Sequence, residues 1–226
     1  GLSFAVTAAQ RGHAVTLFDA ASEIGGQFNI AKKVPGKEEF HETLRYFRRQ
    51  LELGGVALRL GHRVEAAQLI EGGYDELVLA TGIRPRVPDI DGVDHPKVLG
   101  YLDVLRDERP VGERVAIIGA GGIGFDVAEY LTHAGDSGAV APRKFYAEWG
   151  IDTDYAQAGG LAQPQAEPSP RRVHLLQRKS TKVGDQLGKT TGWIHRTSMQ
   201  ARSVAMGSGV AYERIDDPGL HITAGA

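Results

Sequence analysis

The sequence predicts an α/β fold of parallel sheets flanked by helices, and three observations predict it. The strand-like run Arg114-Val115-Ala116-Ile117-Ile118 enters a glycine-rich turn and leaves as an apolar helix from Phe125 to Leu131, a change of hydrophobic period across a glycine punctuation. Strand-like and helix-like stretches alternate along the rest of the chain, as in βαβ units. Thirty glycines among 226 residues suit so turn-rich an architecture.

The first helix opens at Gly1, with Leu2, Ala5, Val6 and Ala9 on one face and Gly12 placed to stop it. A strand follows, Ala14 to Phe18, and ends on Asp19. An acid at the end of a second strand, about 20 residues past a glycine turn, is positioned to hydrogen-bond a ribose hydroxyl. Gly1 accordingly reads as the last glycine of an earlier GxGxxG whose strand and first two glycines lie outside the sequence. Leu220-His221-Ile222-Thr223 reads as a strand broken off near Ala226, so a fragment of a longer chain is expected. Asp19 has a plainer reading too, as the opening of a turn toward Ala20 and Ser22. The loop from Ser22 to Phe28, with Gly26 and Gln27, either lies against a nucleotide or is simply a turn.

Lys37 to Leu53 is an amphipathic helix, with Phe40, Leu44, Phe47 and Leu51 at helical spacing and Gly54-Gly55 ending it. Its charged residues form a solvated face. Strands are expected at Val56–Leu60 and at Leu77–Ala80, the latter running into Thr81-Gly82. The proline-punctuated crossover from Arg84 to Gly92 is where a domain linker falls.

The second half opens with a short helix, Tyr101 to Arg106, and then the turn Gly119-Ala120-Gly121-Gly122-Ile123-Gly124. Each glycine has a chemical reason. Gly119 makes the tight turn, Gly121 lets the backbone approach a pyrophosphate, and Gly124 lets helix and strand pack closely. Gly122 and Ile123 begin the helix, whose free N–H groups face the phosphates. Residues 134–170 then interrupt the pattern with a Gly-, Ala-, Gln- and Pro-rich insertion, in which Phe145, Tyr146 and Trp149 imply partial packing. The insertion covers a cofactor, docks a partner domain or makes a surface excursion.

The delayed strand, Val173 to Leu176, leads into Gln177-Arg178-Lys179-Ser180 without an acid. Arg178 and Lys179 suit a ribose 2′-phosphate, which favours NADPH over NADH; a solvent-exposed basic pair is the plainer alternative. In Leu187–Arg196, Lys189, Thr190 or Arg196 would approach the nucleotide, or the segment is a helix entry packed by Trp193 with His195 an ordinary histidine.

The 26 basic and 28 acidic side chains give no excess that points to nucleic acid or an anionic membrane. No apolar run approaches the roughly 18 residues that span a bilayer, and no secretory signal is present; a cytoplasmic protein is expected. Cysteine is absent, so the chain holds no disulfide and no thiolate-ligated cluster. The histidines, His41 and His62 among them, lack ligand-like spacing, and no metal site is expected.

Two nucleotide-binding units in tandem, the second inserted in the first, resemble the FAD/NAD(P)-linked reductases. Ala80-Thr81-Gly82 resembles that superfamily's Ala-Thr-Gly turn beside the flavin nucleotide. The runs Glu23–Lys32, Pro35–Phe40 and Leu187–Arg196 closely resemble the bacterial NADPH-dependent 2,4-dienoyl-CoA reductases, and the similarity covers nearly the whole chain, including Trp149-Gly150-Ile151-Asp152.

The resemblance implies tandem Rossmann-like units: a truncated FAD domain at 1–105 and an NADPH domain at 106–226, incomplete at its C-terminus. It implies a flavin site around Gly1, Asp19, Gly26, Gln27, Thr81 and Gly82. It further implies, outside this sequence, a barrel domain carrying FMN and the substrate site, with a 4Fe-4S cluster. NADPH would reduce FAD, and electrons would cross the cluster to FMN and an unsaturated acyl-CoA. No catalytic residue is assigned here, because the barrel and the cluster cysteines are not in the sequence. A non-catalytic scaffold and a trimethylamine dehydrogenase-like flavoprotein are the alternatives.

Overall fold

The computed structural model describes residues 1–225. They divide into two compact units, Gly1–Lys32 with Glu39–Arg84, and Lys33–Glu38 with Pro85 onward. The cut at residues 84/85 falls at the start of the proline-punctuated crossover, upstream of the 105/106 boundary drawn from the sequence.

In the first unit, α1 (Leu2–Gln10) ends at Arg11, and Gly12 follows with φ +88°, the left-handed stop that glycine adopts without strain. The face expected from the sequence is the buried one. Ala5 and Val6 pack with Ile24 and Leu51, flanked by Leu2, Val15, Leu17, Phe47, Val56, Leu58 and Leu60. Strand β1 (Thr16–Phe18) pairs in parallel with β2 (Ala57–Arg59), Leu17 opposite Leu58. Helices α2 (Phe28–Ala31), α3 (Phe40–Leu53) and α4 (Ala66–Glu71) complete the unit. Leu44 and Leu51 are the buried residues of α3, and the Phe28 and Phe40 rings lie 4.7 Å apart.

Two expectations are corrected here. Helix α3 starts at Phe40 rather than Lys37, because Gly36 turns with φ +89° and Lys37 instead pairs with Asp126 at 2.6 Å. The run Leu77–Ala80 forms no strand. Its side chains are exposed, Leu79 by 83%. An all-apolar strand of this kind needs neighbours on both sides, and no described strand hydrogen-bonds to it.

The second unit is built on a parallel sheet in the order β3 (Arg114–Ile118), β4 (Arg172–Leu176), β5 (Ala205–Gly207). Val115 faces Val173, Ile118 faces Leu176, and Leu176 faces Gly207. Val173, Leu175 and Leu176 are buried while Arg172 and His174 are exposed, so one face of the strand is covered along its length and the other only at its C-terminal end. Helix α5 (Tyr101–Leu105) buries Val104 and Leu105. Helix α6 (Gly122–Thr132) follows β3, and α8 (Gly192–Ala201) precedes β5.

Helices α6 and α8 are tied by a polar knot. Arg202 Nη1 donates to Glu129 Oε1 at 2.6 Å, Ser198 Oγ donates to Glu129 Oε2 at 3.0 Å, and Arg202 Nη2 lies 3.0 Å from His133 Nδ1. Beyond β5, strands β6 (Val210–Asp216) and β7 (Gly219–Ala224) form an antiparallel hairpin around Asp217-Pro218.

The insertion carries a helix at the surface. Its helix α7 (Pro142–Trp149) has no buried residue and stops at Gly150, φ +65°. The Phe145 and Trp149 rings lie 6.0 Å apart. The loop after α7 returns to it through Ala162 N–H to the Gly150 carbonyl and Gln165 N–H to the Ala147 carbonyl, both 2.8 Å. No helix among the described residues is long and apolar enough to cross a membrane.

Candidate functional site

The glycine turn joins the C-terminal end of β3 to the N-terminus of α6. Gly119 has φ +105°, outside the range that other L-residues adopt without strain. A Cβ on Gly124 would overlap the Gly119 carbonyl oxygen and come within 3.4 Å of Leu175 Cδ1, so the third glycine is required by the packing of helix on strand. Around Gly121 and Gly122 the situation is opposite, since a Cβ there would meet nothing within 4 Å. The first turn of α6 contains no acidic residue, and the first N–H groups of a helix lack intrahelical acceptors. An exposed, acid-free helix N-terminus with open space before it fits a pyrophosphate. Ile123 stands 46% exposed at its edge.

Strand β4 lies beside β3, so its C-terminal end reaches the same edge of the sheet. Gly119 N–H donates to the Leu176 carbonyl at 2.8 Å and ties the two ends together. Arg178 and Lys179 follow directly. Both are exposed, and neither enters an ion pair among the described residues. Gly119, Gly121, Gly122, Ile123 and Gly124 thus stand on one strand end, with Arg178 and Lys179 on its neighbour. Open parallel sheets bind ligands outside the carboxyl ends of their strands.

Tyr212, on β6, was not singled out by the sequence. Its hydroxyl donates to the same Leu176 carbonyl at 2.9 Å. Burial pushes the phenol above its ordinary range, against the opposing influences of Arg178 and a hydrogen bond from the Gly119 backbone. The alternation in Val210-Ala211-Tyr212-Glu213-Arg214-Ile215-Asp216 signals a strand, but nothing in it says which strand end the tyrosine meets.

A further cavity of about 220 Å³ is lined by Gly184, Asp185, Lys189, Gly192, Trp193 and Arg196, with Arg196 Nη1 donating to the Gly184 carbonyl at 3.0 Å. Trp193 does not pack the entry to α8. It is 54% exposed, and Leu187 presses on Gly192 instead, 3.0 Å from where a Cβ would stand. The His195 ring meets Phe125 edge-on at 6.4 Å.

In the first unit, Gly1 stands at the N-terminus of α1, where a Cβ would lie 3.7 Å from Ala80 Cβ. This brings the residue before Thr81-Gly82 to that helix end. Thr81 and Gly82 are exposed, and Gly82 has φ +75°. Asp19 caps its own turn, with Oδ1 accepting the Ala21 N–H at 2.9 Å. Gly25 and Gly26 take φ values of +122° and +50°, and Gln27 leads into α2. No group of three or more His, Cys, Asp or Glu side chains placed for a metal occurs among the described residues.

A parallel sheet whose first strand runs through a glycine turn into a helix is the arrangement of a Rossmann-like domain. The chain belongs to the pyridine nucleotide-disulphide oxidoreductase family, which it matches over residues 1–224, a family of flavin- and nicotinamide-linked enzymes. It is 31% identical over 215 residues to a metal reductase from Desulforamulus reducens, covering 90% of this chain and 30% of that protein. It is 33% identical over 161 residues to a cinnamate reductase from Clostridium sporogenes, covering 71% of this chain and 23% of the other. The solved 2-naphthoyl-CoA reductase, in complex with 2-naphthoyl-CoA, superposes with a TM-score of 0.77 at 25% identity, covering 99% of this chain and 28% of that one. The chain therefore spans less than a third of the length of these relatives.

Proposed function

We propose that this chain is the electron-input part of an NADPH-dependent reductase of unsaturated acyl-CoA thioesters, of the 2,4-dienoyl-CoA reductase type. The observation that carries the reading is the placement of Arg178 and Lys179 beside the Gly119 turn, on the strand end where an acid would favour NADH. In this reading the N–H groups at Gly122, Ile123 and Gly124 receive the pyrophosphate, with Gly119 and Gly121 shaping its approach. The Arg178 guanidinium and Lys179 ammonium pair with the 2′-phosphate. In the first unit, Gly1, Asp19, Gly26, Gln27, Thr81 and Gly82 are assigned to FAD.

The chemistry these nucleotides supply when bound is hydride transfer from NADPH to FAD, with onward passage of electrons through an iron–sulfur cluster and FMN of the whole protein to the thioester. The FAD part is assigned to 1–105 and the NADPH part to 106–226, with a barrel domain of the same chain as partner. The likeness to a cinnamate reductase and to a 2-naphthoyl-CoA reductase supports a conjugated or thioester substrate for the whole protein.

Calorimetric titration with NADPH and, separately, NADH tests this. The wild-type chain is expected to prefer NADPH. Arg178→Ala should weaken NADPH about ten- to a hundredfold, the size of a charge-assisted contact, while NADH changes by no more than about twofold. Equal losses for both would sink the 2′-phosphate assignment, and binding of neither would sink the nicotinamide site.

A further inference from the structure

We propose that Tyr212 is a positioning residue of this nucleotide site, holding the Arg178-Lys179 segment in the register that reads a 2′-phosphate. The inference rests on the NADPH reading above and adds to it a residue from another part of the sequence.

Its basis is a clamp on the residues leading through the two cations. Three donors from one short stretch, residues 209–212, close on carbonyls between 176 and 179. Tyr212 O–H reaches the Leu176 carbonyl at 2.9 Å, Val210 N–H the Gln177 carbonyl at 3.1 Å, and Gly209 N–H the Lys179 carbonyl at 2.9 Å. Two of these bonds come from the backbone and would form with many side chains. The third depends on the phenol alone. Gln177 adds a local brace, its Nε2 donating to the carbonyls of Lys179 at 3.1 Å and Thr181 at 2.7 Å.

The carbonyl that Tyr212 chooses gives it its significance. Leu176 O is also the acceptor of Gly119 N–H at 2.8 Å, so one oxygen is shared by the first glycine of the turn, the end of β4 and the β6 tyrosine. Tyr212 stands where the pyrophosphate cradle meets the cationic segment, and Arg178 lies close enough for its charge to act on the phenol. Because burial disfavours the phenolate, the side chain remains a neutral donor at physiological pH and brings no negative charge toward an incoming phosphate.

A long cation such as Arg178 loses rotamer freedom when it binds, and a main chain fixed in advance reduces what must be ordered at that moment. Without the hydroxyl, the cations remain but their attachment is looser. NADPH is penalised, whereas NADH, which does not use them, is not.

Tyr212→Phe keeps the ring and leaves the Leu176 carbonyl its Gly119 donor, so no buried acceptor is orphaned and the chain should fold. Titrations with NADPH and NADH are made on four proteins: wild type, Y212F, R178A and the double variant, each checked by far-ultraviolet circular dichroism. Y212F is expected to lower the NADPH-to-NADH preference about three- to tenfold, as one neutral hydrogen bond would, with NADH affinity unchanged. In the R178A background it should do nothing further to that preference, a coupling that a merely structural role would not produce. Equal weakening of both nucleotides, no change in preference, or an effect of Y212F that persists fully in R178A overturns the positioning role. If wild type itself shows no preference, the NADPH reading fails with it; a preference lost in R178A but untouched in Y212F removes this inference alone.

Discussion

Both units pair parallel strands beside helices, but by unequal means. In the second, three paired strands carry the glycine turn and its neighbouring cations on adjacent ends. Each part is held by something specific: Gly124 by the Gly119 carbonyl, Gly119 N–H by Leu176, and Gln177 through Lys179 by the β5–β6 turn. In the first, two strands are paired, and the apolar run Leu77–Ala80 lies unpaired and exposed. Asp19 is tied to the end of β2, its N–H donating to the Arg59 carbonyl and its carbonyl accepting the His62 N–H, both at 3.1 Å, while its carboxylate is taken up by the Ala21 N–H. Tying one strand end to its neighbour is thus common to both units, and what sets the second apart is the close packing of helix on strand through Gly124.

If strand and helix packing sets the second unit apart, the largest effect should come from its internal polar knot. The Arg202 and Glu129 side chains are only 8% and 15% exposed. Arg202→Leu leaves the Glu129 carboxylate with Ser198 alone and should cost about 3–5 kcal/mol. Denaturant unfolding measures it. In hydrogen exchange, amides of α6 and α8 should lose protection while those of α3 keep theirs. A loss below about 1 kcal/mol would mean that the knot is dispensable and the second unit no better fixed than the first.

A smaller but sharper contrast lies within the glycine turn itself. Gly124→Ala places a methyl on a backbone oxygen that cannot yield as a flexible side chain would. It should cost about 1–3 kcal/mol of stability and weaken NADPH as a consequence. Gly121→Ala places its methyl in open space at φ −85°. Stability should change by less than about 0.5 kcal/mol, while NADPH affinity falls by about tenfold or more because the pyrophosphate loses its approach. Melting curves and titrations on the same two proteins separate packing from ligand space. Equal stability losses would show that the second glycine is structural as well.

These contrasts mark how far the sequence was legible. Parallel α/β character, helices α1, α3 and α6, and the strands β1 to β4 follow from period and glycine placement. Residues as local as Ala5, Val6, Leu44 and Leu51 fall on the expected faces. Leu77–Ala80 misled because apolar composition signals a buried strand, yet pairing is a property of neighbours. Strand β5 escaped notice because Ala205-Met206-Gly207 has no β-branched residue, and β4, not its own composition, makes it a strand. Trp193 misled because a large aromatic suggests a core, whereas the entry to α8 needs something small against Leu187 and finds Gly192. At the candidate site, the glycines and cations were visible as a local pattern. Tyr212 was not, since its hydroxyl meets Leu176 from 36 residues away in the chain.

The smallest effect is one on which the two units should agree. On the hairpin, His221 Nε2 lies 2.7 Å from Asp216 Oδ1, with Arg214 on the other oxygen at 3.1 Å, and these partners hold the Asp216 carboxyl below its ordinary value. On α3 of the first unit, the Arg45 side chain holds Glu42 low in the same way. A carboxyl depressed by folding contributes stability that is present above its unfolded value and is lost as the pH falls through the folded one. Both groups lie at the surface, where solvent and salt screen their partners. Asp216→Asn and Glu42→Gln should therefore each remove only a slight acid-side loss, a melting shift of about one degree between neutral and strongly acid pH, shrinking in both cases as salt is raised. Melting curves across that range decide it. A large acid loss confined to Asp216 would place the advantage of the second unit in its surface charges. Equal small losses would leave that advantage where Gly124 and the Arg202–Glu129 pair put it, in groups packed away from water.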